Sequence, residues 1–270
     1  MTWTIGDVTV RRIDEIELPA ATGAWLLPAA TDEIRLHSHS FAFEKDGMKI
    51  LVDTGIGNGK TRANPAWHDL DTGYLDALTA AGFAPDDVDL VLLTHLHTDH
   101  VGWNTREQDG EWVPTFASAR YVTARAEREF WAGYEMDGPR RQMFEDSVLP
   151  VERAGLLDLV DIPAEGFEIV SGVRLLPTPG HTPGHVSVEL TSSGETALIT
   201  GDAVHHPLQF AHPEIGASVD IDPAESEKTR RRLLAELADS GALVLGTHFT
   251  PPTGGRLVSH GSGYRLVERP

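Results

Sequence analysis

The sequence predicts an α/β fold, and three observations carry that expectation. Short apolar, β-rich runs recur along the chain, and several end directly before a histidine or an aspartate. Segments with helical spacing of their apolar residues lie between these runs. The 270 residues hold no Pro/Gly/Ser-rich linker or low-complexity tract, so one large domain over 1–270 with a sizeable core is expected.

In chain order, alternating β-type segments run from Trp3 to Ile16 and from Phe41 to Phe43, and Met48–Val52 is an apolar run leading into Asp53-Thr54-Gly55. A helix is expected near Gly73 to Ala81, with Leu75, Leu78 and Ala81 on one face and Gly82 as its stop. Val88–Leu93 reads as a buried strand and 119–123 as another. Helical segments follow over Ala126–Tyr134 and Arg141–Leu149, with Gly138-Pro139 as a break between them. Strands are then expected at Phe167–Val170, Val173–Leu176, Val186–Leu190, Ala197–Thr200 and Ala242–Leu245. Between the last two lies a helix from Pro223 to about Ser240, with Asp222 as N-cap, Leu233, Leu234 and Leu237 on its apolar face and Gly241 as stop.

The functional signal is Thr94–His100, THLHTDH, which places His95, His97, Asp99 and His100 within six positions. Imidazole nitrogen and carboxylate oxygen are ligands that zinc and similar divalent ions take. In a helix His95 and His97 would point nearly opposite ways, so the run is expected on the loop leaving a strand, where the backbone can turn both toward one ion. Asp99 and His100 then face a second. Five apolar strands end before such residues: Asp53, the His95–His100 run, His181, Asp202 and His248. By analogy with open parallel sheets, where ligands gather at carboxyl strand ends, these five ends are expected on one rim.

The formal net charge of −19 and pI near 5.0 argue against nucleic acid or an anionic membrane as partner. Without cysteine there is neither a disulfide framework nor a thiolate ligand. The N-terminal segment shows no apolar core of a signal peptide and nowhere is there an apolar span of about 18 residues. A soluble, cytoplasmic protein is expected.

The motifs DTG (Asp53–Gly55), THLHTDH, PTPGHTPGH (Pro177–His185), TGDA (Thr200–Ala203) and GTH (Gly246–His248) together make the chain resemble the metallo-β-lactamase superfamily over nearly its whole length. The resemblance implies an αββα sandwich of two mixed sheets flanked by helices, with a dinuclear site. It assigns His95, His97 and His181 to one metal and Asp99, His100 and His248 to the other, with Asp202 bridging. Two zinc ions are the expected cofactors, with Mn, Co or Fe as possible substitutes. A water shared by two dications is acidified, so a metal-bridging hydroxide is the expected nucleophile, and Asp99 counts as catalytic as well as ligating. Asp53 matches a position that supports the site without ligating, and His185 is expected to be structural.

Within the superfamily, Asp202 stands where many β-lactamases carry Cys or Ser, and His97 stands where diiron relatives carry Glu. The chain ends soon after His248, without the helical domain that glyoxalase II uses. What remains is hydrolysis of small uncharged esters or lactones, with organophosphorus triesters and aryl esters as the alternative. A β-lactamase and a non-hydrolytic metal-binding member rank lower. Homoserine lactonases usually carry Tyr three residues after the bridging Asp; here it is His205, in a run (GDAVHHPLQF, closing with GSGYR) similar to the methyl parathion hydrolase branch. His205 is thus a candidate to stabilise an oxyanion or protonate a leaving alkoxide, its alternative being packing beneath Asp202. Trp103, His206 and Phe210 are candidate pocket residues, Trp25 and Trp67 are expected in loops near the cleft, and His37 and His39 are expected to be exposed or held in the core. Residues 210–222 read as a lid or an oligomer contact. The expected partner is a small-molecule substrate, and a homodimer is the assembly considered.

Overall fold

The computed structural model describes residues 1–268, which gather into two compact units. The first comprises Met1–Thr4, Val8–Ile16 and Ser38–Val160; the second comprises Ile5–Asp7, Glu17–His37 and the residues from Asp161 on.

In chain order the elements are β1 (Thr2–Ile5), β2 (Val8–Leu18), α1 (Ala20–Leu26), β3 (Leu36–Lys45), β4 (Met48–Val52), α2 (Tyr74–Ala80), β5 (Leu90–Leu92), α3 (Thr98–Val101), β6 (Thr105–Gln108) and β7 (Glu111–Pro114). There follow β8 (Arg120–Ala124), α4 (Arg125–Gly133), α5 (Gly138–Ser147), α6 (Leu149–Arg153) and β9 (Leu157–Val160). The rest is β10 (Phe167–Val170), β11 (Val173–Pro177), β12 (Val186–Ser192), β13 (Glu195–Ile199), α7 (Leu208–Ala211), α8 (Pro223–Leu237), β14 (Leu243–Leu245), β15 (Gly254–His260) and β16 (Gly263–Val267). One seven-stranded sheet has the order β1-β2-β3-β4-β5-β8-β9 and a second runs β10 to β16 in sequence order, while β6 and β7 form a separate hairpin. Both large sheets mix parallel and antiparallel pairs, which is the expected α/β class.

The parallel pairs decide where the polar residues go. In the first sheet β4 and β5 run parallel with Val52 opposite Leu92, so Asp53 and the stretch entering His95 leave on the same rim. The Asp53 amide donates to the Leu92 carbonyl at 2.9 Å, which closes that step. In the second sheet β13 and β14 run parallel with Ile199 opposite Leu245. Asp202 and His248 each follow three positions later, and the Thr200 amide bonds the Leu245 carbonyl at 3.0 Å. β11 lies antiparallel to β12, which lies antiparallel to β13, so the chain leaves β11 toward His181 on that same rim. Within each sheet the rim analogy holds.

Several boundaries differ from expectation. Gly138-Pro139 does not break a helix but opens α5: Asp137 caps it by accepting from the Arg140 amide, and proline is tolerated in a first turn that has no amide partner to lose. The buried face of α2 is Tyr74 and Leu78: Leu78 is buried as expected, while Tyr74 takes the place expected of Leu75, which with Ala81 is only half-buried. α8 starts as expected, with Asp222 accepting from the Glu225 amide at 3.0 Å, but stops at Leu237 because Ala238 turns extended. Trp25 lies on α1 rather than in a loop, and is 57% exposed. No helix among the described residues is long and apolar enough to cross a membrane.

Candidate functional site

In the first unit the THLHTDH stretch leaves β5 as a loop and enters the single turn of α3, as the ligand spacing required. His95 packs its ring on those of His97 and His100, with centroids 4.6 and 4.1 Å apart. His95 and His100 are buried, while His97 and Asp99 are half-buried, and Asp99 Oδ1 lies 3.8 Å from His100 Nε2.

Asp53 organises this cluster from below. Its Oδ1 accepts from the Thr94 amide and its Oδ2 from the Thr94 hydroxyl, both at 2.8 Å, and Oδ2 also meets His100 Nδ1 at 2.9 Å. To aim the carboxylate so, Asp53 adopts φ 57°, a left-handed conformation in which a non-glycine residue is strained. Behind it the Gly102 backbone lies so close to Ile56 that a Cβ there would stand 1.9 Å from the Ile56 carbonyl. Only glycine fits. A second carboxylate, Glu15 on β2, takes the Ile56 and Gly57 amides at 2.7 and 2.9 Å, the Ser38 hydroxyl at 2.7 Å and Trp103 Nε1 at 2.8 Å. Burial raises the Glu15 pKa against the pull of these donors.

In the second unit the centre is Asp202, in the short turn Gly201–Ala203 after β13. Its Oδ2 lies 3.4 Å from His181 Nε2 and 3.2 Å from His205 Nε2, and its Oδ1 lies 3.2 Å from His248 Nε2. His181, Asp202 and His205 offer ligand atoms within 4.8 Å of one another. The other nitrogen of His181, Nδ1, is held by Asp220 Oδ1 at 2.9 Å, and His248 Nδ1 by the His37 carbonyl at 2.9 Å. Burial alone would raise the Asp220 pKa, but the hydrogen bond from His181 leads the pulls that outweigh it, so the net direction is down. Gly180 permits the His181 loop to touch α8, since a Cβ there would come within 2.2 Å of the Ser226 amide.

This arrangement fits divalent metal. A carboxylate or carbonyl at Nδ1 draws the ring proton there and leaves Nε2 as the lone-pair nitrogen, the orientation found in metal-ligating histidines. For His100, His181 and His248 that is what the partners dictate. In His181 and His248, Nε2 then lies 3.2–3.4 Å from an Asp202 oxygen, so imidazole nitrogen and carboxylate oxygen converge as a divalent cation's donor set does.

The remaining candidates are placed as follows. His205 is fully buried, its Nδ1 makes no hydrogen bond, and its amide donates to Gln209 Oε1 at 2.7 Å. Burial lowers its pKa despite the pull of Asp202, which favours the neutral ring. His185 accepts from the Asp202 amide at 2.8 Å through Nε2 and bonds Thr178 through Nδ1, so both nitrogens serve the scaffold. His39 is buried, while His37 is half-buried and contributes its carbonyl to His248. The three pocket candidates lie in packed surroundings. Trp103 is 5% exposed, stacked on Tyr74 and tied to Glu15; Phe210 is 1% exposed and packs edge-on against Phe249; His206 caps its own turn by accepting from the Leu208 amide. Each is claimed by packing or turn chemistry. Trp67 lies in a loop as expected. Asp220, within the segment read as a lid or oligomer contact, was missed as the partner of His181. Its one sequence cue was a carboxylate two residues before the cap of α8.

A profile of the Metallo-beta-lactamase superfamily matches residues 34–248, and the chain belongs to that superfamily. Its likeness falls on the lactonase-like branch. N-acyl homoserine lactonase AiiA of Bacillus thuringiensis subsp. kurstaki is 31% identical over 204 residues, which cover 70% of this chain and 73% of the relative. Among solved structures, hydrolase AbOPH of the β-lactamase superfamily superposes with a TM-score of 0.79 at 25% identity, covering 99% of this chain and 96% of its own. The dizinc quorum-quenching lactonase AidC, solved with a homoserine product, has a TM-score of 0.82 at 22% identity, covering 100% and 97%, and bears on the fold alone.

Proposed function

We propose that the protein is a single-domain, metal-dependent hydrolase of small uncharged lactones or esters. The observation that carries this reading is the set of imidazoles whose Nδ1 atoms are bound by Asp53, Asp220 and the His37 carbonyl, so that Nε2 is presented beside carboxylate oxygens. The ligands are those the family resemblance assigns: His95, His97, Asp99, His100, His181, Asp202 and His248. The expected metal is zinc, in line with a dizinc lactonase among the fold relatives. Bound divalent metal supplies Lewis acidity to the carbonyl and acidity to water. The protein's own groups do the rest. Asp53 and Asp220 hold ring tautomers and orientations. His205, buried and favouring its neutral form, can donate a hydrogen bond to a developing oxyanion, and in its protonated form could pass a proton to a leaving alkoxide. The acidic composition and the site chemistry suit a neutral small molecule in the cytoplasm, with neither nucleic acid nor membrane as partner and a homodimer as the assembly to test.

Initial rates of the zinc-loaded protein on an acyl homoserine lactone, a γ-lactone, an aryl acetate, a dialkyl aryl phosphate and a cephalosporin test this directly. The lactones should lead, and His205→Ala should cost about 10²–10⁴-fold on them, the range of a lost acid-base or oxyanion group. If the phosphotriester or aryl ester leads and His205→Ala changes little, the organophosphate and aryl-ester reading replaces the lactonase one.

A further inference from the structure

The loop that carries His95 and His97 has a buried amide between them, that of Leu96, and no strand neighbour accepts from it. Its acceptor is Glu127 Oε1 on α4, at 3.0 Å. The same oxygen accepts from Trp131 Nε1 at 2.7 Å. Glu127 and Trp131 are four apart and so lie on one face of the helix, and both are fully buried. Trp131 in turn sets its ring edge-on to His97, with centroids 5.5 Å apart. One helical turn thus grips the loop twice, at the backbone before His97 and at the His97 ring itself.

A buried carboxylate is costly unless hydrogen-bond donors meet it. What it supplies is a charge-assisted acceptor strong enough to hold a loop amide and an indole at once. The amide it holds lies in the peptide plane joining His95 to Leu96. Rotation of that plane swings the His95 ring and the approach to His97 together.

We propose that Glu127, with Trp131, is a positioning residue that fixes the His95–His97 pair for metal binding. This rests on the reading of His95 and His97 as ligands. The test compares wild type with Glu127→Gln, Glu127→Asp and Glu127→Leu by zinc affinity in chelator competition, by the absorption spectrum of the cobalt(II)-substituted protein, and by thermal unfolding of the metal-depleted protein. Gln keeps Oε1 at the same reach, whereas Asp keeps the charge but draws the oxygen back from Leu96. The expected order of zinc affinity is wild type, then Gln, then Asp and Leu, with the last two about 10–100-fold below wild type and spectrally altered, the usual size of losing a group that orients a ligand. Asp binding zinc as well as Gln overturns the proposal, and so does Leu matching wild type with an unchanged cobalt spectrum. Should Leu not fold, the Gln-against-Asp order still decides. A wild type that binds no divalent metal instead brings down the hydrolase reading itself, and this inference with it.

Discussion

At the scale of single residues, the site consists of ligand candidates and the groups that hold them. Asp220 makes the cleanest case, because it spends one oxygen on His181 Nδ1 and the other on the Ala217 amide. Asp220→Asn removes the charge that draws the ring proton to Nδ1. Zinc affinity should fall by about 10–100-fold by chelator competition, with little change in the unfolding of the metal-free protein. The ligand candidates were legible because four sit within six positions and the rest end apolar strands. Glu15, Glu127 and Asp220 were not, since a buried carboxylate reads like any solvated acid until its donors are known. All three take N–H groups from the loops that carry candidates, and that contact exists only once the chain is folded.

At the scale of elements, expectation succeeded where apolar periodicity was strong and a cap marked the end. Asp222 and Pro223 fixed the start of α8, whose Leu233, Leu234 and Leu237 are buried as expected. Asp222→Ala should destabilise the fold by about 1 kcal/mol in denaturant unfolding, the usual cost of an N-cap, without altering the unfolding slope. The hairpin β6–β7 went unseen because Arg106, Glu107 and Gln108 on β6 and Glu111 on β7 hide any alternation of apolar residues. α1 went unseen because AATGAWL is short and its cap, Pro19, makes no side-chain hydrogen bond. Its helical form depends on tertiary contacts, among them the Ser218 amide on the Leu26 carbonyl at 2.8 Å.

At the scale of the whole molecule, the α/β class and the family followed from strand-end motifs spread from Asp53 to His248, but the internal ionic chemistry did not. Lys60 is fully buried, bonded to the Thr105 hydroxyl at 2.7 Å and the Asp146 carbonyl at 3.2 Å, while Arg62 pairs with both Asp146 oxygens. Burial lowers the Lys60 pKa from 10.5 to about 7 against the pull of Asp146. The unfolded chain therefore binds the extra proton between about pH 7 and 10.5, so this group's contribution to folding stability improves as pH rises through that window and is least favourable below it. Global unfolding of Lys60→Met against wild type should accordingly favour the variant more at pH 6 than at pH 9, and a difference independent of pH would refute the assignment. The second unit holds a different lesson, for it borrows residues 5–7 and 17–37 from early in the chain, and the His37 carbonyl that steadies His248 stands 211 positions ahead of it. A ribosome therefore delivers the support long before the residue it supports. No single cut in the gene can release that half intact, because residues 5–7 and 17–37 lie on the far side of the stretch that builds the first unit.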